Sequence, residues 1–247
     1  MTGELMNDYE YIGSELELFA SATNWKSYFG SMLQPFIGPR VLEVGAGIGE
    51  TTSVLCTGRE IEWLCVEPDR RLAEKLQQGI NHGSIPARCK LVVGTIEDIE
   101  AAPRFETILY IDVIEHLEND ADELRRASTR LVPGGHLVVL SPAHPWLYSE
   151  FDKSIGHFRR YTKRSLAALT PPHTKMVRNF YLDGVGVLAS LGNRLLLKSS
   201  CPTPRQIAVW DKMVVPLSRV VDRLLCYNFG KSVVGVWRRG PRSGSSI

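Results

Sequence analysis

The sequence predicts an α/β fold in which a parallel sheet carries helices on both faces. Two observations predict it. Short apolar runs alternate with helix-patterned stretches from Arg40 to Leu140, the signature of consecutive strand–helix–strand units. The first run, Val41–Val44, ends in glycines at alternating positions, Gly45, Gly47 and Gly49, before a helix-like segment. A strand, a tight glycine turn and a helix N-terminus make a cradle for a nucleotide-like ligand at the carboxyl edge of such a sheet. The chain has 247 residues, 44% of them hydrophobic and 23% charged, enough for one large domain with a buried core.

Each further element follows in order. Ile61–Val66 reads as a second buried strand ending in Glu67, Pro68 and Asp69; Leu91–Val93 as a third, before Gly94–Asp98; Glu106–Ile111 as a fourth, before Asp112–Leu117. Leu131–Leu140 supplies a helix end, a Pro-Gly-Gly turn and a fifth strand. Met176–Leu182 reads as a sixth strand and Ser232–Trp237 as a seventh, with residues 183–230 between them. That interval is too long for a hairpin loop. Its apolar residues recur at helical spacing, among them Val185, Leu188, Leu191, Leu195 and Leu196, then Trp210, Met213, Leu217, Val220 and Leu224, so it reads as a helical insertion. Residues 1–37 form a helical N-terminal cover, and 240–247 a flexible tail, around a single domain spanning 1–239.

The glycine spacing and one charge indicate the ligand. A dinucleotide turn wants G-x-G-x-x-G/A with a pyrophosphate on the helix N-terminus. Here Glu50 occupies the third glycine position, and a carboxylate there repels a pyrophosphate. A sulfonium cation suits acidic surroundings. The segment Glu43–Gly49, with the ordered motifs after it over roughly residues 38–165, resembles the class I S-adenosylmethionine-dependent methyltransferases. The resemblance implies a Rossmann-like, seven-stranded, mostly parallel sheet whose last strand is antiparallel, and S-adenosyl-L-methionine as cofactor.

Glu67 stands at the end of the second strand, about 20 residues past the turn, where an acid accepts both ribose hydroxyls. In the family the turn after the third strand lies against adenine. Thr95 replaces the usual acid there, leaving Thr95 or Glu97 to read the amino group and Ile96 to pack on the ring. The implied cofactor surface is completed by Glu43, Gly45, Ala46, Gly47, Gly49, Pro68, Asp112 and Val113.

Methyl transfer to a hydroxyl needs alignment and removal of a proton, which favours a histidine. His116, His144 and His157 lie on the carboxyl side of the sheet. His157 leads because Arg159, Arg160 and Tyr161 cluster around it, with Tyr161 a further catalytic candidate and Arg160 able to bind an anionic group on the acceptor. Asp112, Glu115 and His116 resemble the E-x-x-E-H metal motif of small-RNA 2′-O-methyltransferases and some ubiquinone-pathway O-methyltransferases, with His157 as a further ligand. Asp for Glu shortens the reach. Helix capping by Asp112 and cofactor contact are preferred, and no metal is assigned.

A formal net charge of +2 gives no electrostatic case for nucleic acid. The N/D-P-P-Y/F sequence typical of base amine methylation is absent after the fourth strand. Five scattered cysteines without a C-x-x-C pair fit a reducing cytoplasm. The acidic N-terminus is unlike a signal peptide, and no apolar run spans a membrane. The expected activity is therefore methylation of a small, partly apolar molecule, most readily at oxygen. The insertion's apolar and basic residues suggest a roof over the acceptor or peripheral contact with an anionic membrane. Pro216 should interrupt its second helix. The alternatives are an NAD-dependent oxidoreductase and a non-catalytic S-adenosylmethionine-binding module. The acceptor's identity and the oligomeric state stay open.

Overall fold

A computed structural model describes residues 10–13, 15–192 and 202–241. The expected tail beyond 241 and the stretch 193–201, which holds Leu195 and Leu196, lie outside the described residues. Seven strands form one sheet: β1 (Arg40–Val44), β2 (Glu62–Glu67), β3 (Cys89–Val93), β4 (Phe105–Ile111), β5 (Leu131–Pro142), β6 (Thr174–Leu182) and β7 (Ser232–Arg239). Their order is β3-β2-β1-β4-β5-β7-β6. The first five run parallel, and β7 lies antiparallel between β5 and β6. The order reverses at β1 and β4, so their carboxyl ends open a crevice at the topological switch point.

The central strands are buried on both faces, as their continuous apolar sequences require. Leu42, Val44, Ile108 and Tyr110 pack in one layer with Trp237. Val41, Trp63, Cys65 and Leu109 pack in the other with Phe29 and Leu33. The Pro133-Gly134-Gly135 turn expected before the fifth strand is instead drawn into β5. The register slips between Phe105 and Thr107 opposite it, so the extra residues form an irregularity at the strand's start.

Two helices precede the sheet, α1 (Glu15–Ala20) and α2 (Thr23–Leu33). Between strands lie α3 (Glu50–Leu55), α4 (Arg70–Asn81), α5 (Asp120–Thr129), α6 (Glu150–Ser154) and α7 (Lys163–Ala168). The insertion holds α8 (Gly184–Gly192), α9 (Pro204–Val209), a π-helical turn over Trp210–Val214, and α10 (Val215–Leu224). Pro216 sits in the first turn of α10, immediately after the π turn. The missing proline N–H thus coincides with a change of helical register, not with an end of the helix.

The insertion corrects one expectation. Trp210 faces the cleft, but from Met213 onward the apolar stripe does not face inward. Met213, Leu217, Val220 and Leu224 are exposed, while Asp211, Val215, Ser218 and Asp222 form the buried face. The polar groups are inside because each closes a bond. Asp211 accepts from the backbone N–H groups of Asn24 and Trp25, capping α2. Asp222 accepts from Tyr28 Oη and from the N–H groups of Asp183 and Gly184. Ser218 donates to Asp183. Insertion and N-terminal cover are therefore one unit, joined also by edge-on contacts of Trp210 with Phe19.

Candidate active site

The carboxyl edge of the sheet carries a cavity of about 1230 Å³, larger than a single-ligand pocket needs. Its lining is mostly apolar. Gly45, Gly47, Glu67, Thr95, Asp112, His116 and His157 come from the sheet edge; Leu16, Phe19 and Trp25 from the N-terminal cover; Ile207, Trp210 and Val214 from the insertion.

One half lies beyond β1, β2 and β3. Gly45 and Gly49 have positive φ, and a side chain at either would strike a neighbour: Val113 at 2.6 Å for Gly45, Ile85 at 2.3 Å for Gly49. Their glycines thus serve close packing as well as the turn. The Glu67 carboxylate is fixed by two backbone donors, Gly47 N at 2.7 Å and Asp69 N at 2.9 Å. A carboxylate offers about four lone-pair sites, so it can still accept two hydroxyls. Burial pushes its pKa up against these two bonds. Ala46, Pro68, Thr95, Ile96 and Val113 also line this half.

Three residues expected here stand elsewhere. Glu43 is buried beneath the turn, where it accepts from Thr52 Oγ1 and Trp63 Nε1, and burial pushes its pKa up to about 7. It braces β1 and does not line the cavity. Glu97 turns away to pair with Arg126 at 2.5 Å. Gly49 lies behind the turn, in a separate small hollow. Glu50 does reach the cavity, but Lys26 pairs with it at 2.9 Å. Its charge is balanced, which weakens the electrostatic argument against a pyrophosphate.

The other half lies beyond β4, β5 and β7. Asp112 adopts a left-handed conformation (φ 54°), and a 3₁₀ turn begins only at Ile114. Val113, not Asp112, is the N-cap position of that turn, and the expected helical alignment of Asp112, Glu115 and His116 gives way to a sharp turn. That turn delivers Glu115 and His116 to the cavity wall. His157 arrives from the loop after α6, stitched to the same turn by Phe158 N donating to Glu115 O. The rings of His116 and His157 meet edge to face at 4.6 Å. Burial drives the pKa of His116 down to about 4, leaving it neutral near pH 7.

His157 Nδ1 lies 2.9 Å from Asp152 Oδ1. Asp152 also accepts from Arg160 Nε at 2.7 Å, Arg160 Nη2 at 2.9 Å and Ser149 at 2.8 Å. Together these donors hold the Asp152 carboxyl far below the usual carboxylate range, despite its burial. An ionised acceptor on Nδ1 selects the tautomer that carries the proton there and leaves Nε2 basic. Arg160, expected to face the acceptor's charge, is spent on Asp152. Nothing in the sequence pattern marked Asp152 except its place in a Ser149-x-x-Asp152 capping box.

Glu115 Oε1 is buried with no hydrogen-bond partner, 4.0 Å from His157 Nε2. Burial, with Asp112 nearby, raises its pKa well above the usual range. Glu115, His116 and His157 place one ligand atom each within 4.8 Å of one another, a geometry that suits a divalent ion.

Tyr161 and His144 do not line the cavity. The Tyr161 hydroxyl is buried and donates to Asp120 Oδ2 at 2.6 Å. His144 stacks on Tyr181 at 4.9 Å in a left-handed backbone turn. Tyr11, Lys26 and Lys231, which the motifs did not single out, do line it.

The methyltransferase domain profile matches residues 17–178 of this chain. The chain belongs to the class I S-adenosylmethionine-dependent methyltransferases. A ubiquinone biosynthesis O-methyltransferase of Nitrobacter winogradskyi is 32% identical over 166 residues, covering 63% of this chain and 59% of that protein. One from Bradyrhizobium diazoefficiens is 30% identical over 110 residues, or 44% and 42%. The matches to these methyltransferases thus span about half of each relative. Among solved structures, a geranyl diphosphate methyltransferase in complex with SAM superposes with a TM-score of 0.61 at 14% identity, over 95% of this chain and 93% of that one. A [4+2]-cyclase gives 0.61 at 11% identity, over 93% and 95%. The fold alone therefore does not specify methyl transfer.

Proposed function

We propose that this methyltransferase uses S-adenosyl-L-methionine to methylate a hydroxyl oxygen of a small, partly apolar acceptor, with His157 as the base. The observation that carries the proposal is the Asp152–His157 pair on the cavity wall. The names of the sequence relatives favour oxygen as the atom methylated.

The bound cofactor supplies an electrophilic methyl group. Glu67 would hold the ribose hydroxyls, Gly47 and its neighbours would support the amino-acid end, and Ile96 and Thr95 would border the adenine. Asp152 fixes the His157 ring through Nδ1. His157 Nε2 would take the acceptor's hydroxyl proton, freeing the oxygen to accept the methyl group while the demethylated thioether leaves. The aromatic roof of Phe19, Trp25 and Trp210 excludes water and orients the acceptor. His116, neutral and packed edge-on, fixes the other side of the His157 ring.

The outer face of the insertion supports peripheral membrane contact as part of the same reading. Met213 and Leu224 are 69% and 78% exposed, and Leu217 and Val220 complete one stripe between the exposed cations Lys212 and Arg223. Among the described residues no helix is long and apolar enough to cross a membrane. A panel of catechols and alkyl phenols, followed by release of S-adenosylhomocysteine, tests the activity. Turnover of phenols, lost in His157→Ala with cofactor affinity retained, supports it. Turnover confined to amines contradicts it.

A further inference from the structure

Lys231 stands out within the cavity. It lies just before β7, where that strand starts at the carboxyl edge of the sheet, fixed by Ala143 N donating to its carbonyl and by its own N–H donating to Asp183 O. Its side chain lines the cavity. Its ammonium lies 5.2 Å above the Trp210 ring. The ring is itself locked, since Trp210 Nε1 donates to Asp183 Oδ2 at 2.8 Å. Among the described residues no carboxylate pairs with Lys231. Asp183 is the nearest acid by influence, and both its oxygens are already engaged by Trp210, Ser218 and Gly186. Two of the cavity's other cations are paired, Lys26 with Glu50 and Arg160 with Asp152, and the third, Arg205, is exposed on α9 where Lys231 is set deeper.

We infer that Lys231 is the headgroup-recognising residue of the acceptor pocket, and that the acceptor is amphiphilic, with an apolar body and one anionic group, a carboxylate or a phosphate. The inference rests on the reading of this cleft as the acceptor site. Asp183, Asp152 and Asp112 act on Lys231 only from a distance, and burial outweighs them, so a ligand anion in direct contact with the ammonium would relieve the cost of holding it against an aromatic face. Burial pushes its ammonium below the usual lysine range; an anion beside it reverses that shift. The position also sets a length. The end of β4, with Asp112, lies two strand spacings from the start of β7, roughly 10 Å. An acceptor reaching across that edge to Lys231 would span about that distance, with Trp210 and Ile207 in the cavity lining.

The test is calorimetry with S-adenosylhomocysteine first, then with decanoate, decyl phosphate and decanol on the saturated protein. Decanoate or decyl phosphate should bind more tightly than decanol. Lys231→Met should weaken the preferred anion at least tenfold and leave decanol unchanged, and Lys231→Arg should retain the preference. The tighter anion identifies the headgroup. Equal losses for decanol and the anions, or anions that bind no better than decanol, overturn the inference. If S-adenosylhomocysteine fails to bind, the functional reading fails instead, and the same titrations on the free protein still decide the role of Lys231.

Discussion

His157 Nδ1 and Asp152 Oδ1 stand 2.9 Å apart, and Arg160 grips the same carboxylate through two nitrogens. Asp152 is thus a positioning residue that acts through the imidazole. Asp152→Asn removes the carboxylate that orients the His157 ring through Nδ1. Turnover should fall by about 10²-fold or more, within the range of lost general-base catalysis. The loss should fall on kcat, with the acceptor KM and cofactor affinity held, because the imidazole is no longer oriented. A purely structural loss would lower the melting temperature and weaken substrate and cofactor binding together.

Glu67 is expected to carry much of the cofactor affinity. Glu67→Ala removes a charged acceptor and should weaken S-adenosylhomocysteine binding by about 1.5–3 kcal/mol. It also frees the N–H groups of Gly47 and Asp69, so the glycine turn loosens. Titration calorimetry checks the affinity. An unchanged Kd would mean the ribose lies elsewhere.

Glu43 makes a pH prediction with a definite sign. Its folded pKa is raised from 4.5 to about 7, so the folded protein holds a proton that the unfolded chain releases first. Stability from this group is complete below pH 4.5 and is lost as pH rises through 7, a total of about 3 kcal/mol. Glu43→Gln keeps an acceptor for Trp63 and Thr52 without the charge. The variant should gain stability on the wild type between pH 5 and 8, with cofactor affinity unchanged. Urea melts across that range measure it; parallel profiles for the two proteins would contradict it.

The divalent-ion question has a direct answer in solution. With His157 as the base, prolonged chelation should leave turnover intact. Loss of activity restored by Mg²⁺ or Mn²⁺ would instead assign Glu115, His116 and His157 as ligands.

The insertion's outer stripe should bring the protein to anionic vesicles at low salt. Replacing Leu217 and Leu224 together with Glu should abolish flotation and spare the melting temperature, since both side chains are exposed. No association of the wild type at low salt would remove the membrane reading.

Much of the fold was legible because local signals and burial agree. The central strands are continuous apolar runs, and the glycine turn and Glu67 are placed by the strands that precede them. The insertion was harder to read. Its periodicity identified helices but not which face turns inward, because Asp211, Ser218 and Asp222 are buried for bonds to Trp25, Tyr28 and Asp183, far away in sequence. The same limit hid Asp152 and Lys231. Their importance comes from tertiary neighbours; Asp152 stands only in a local capping box and Lys231 in no motif. Tyr161 shows the converse. It follows His157 closely in sequence, yet its hydroxyl is turned into the core toward Asp120.

The central claim is that one cleft holds the cofactor on Glu67 and presents the acceptor to His157. A crystal structure with S-adenosylhomocysteine tests it most directly. The account expects the ribose hydroxyls on the Glu67 carboxylate, adenine against Ile96, and the sulfur facing the space bounded by Asp112, His157 and Trp210. A ligand bound away from Glu67, or a sulfur walled off from His157, would contradict it.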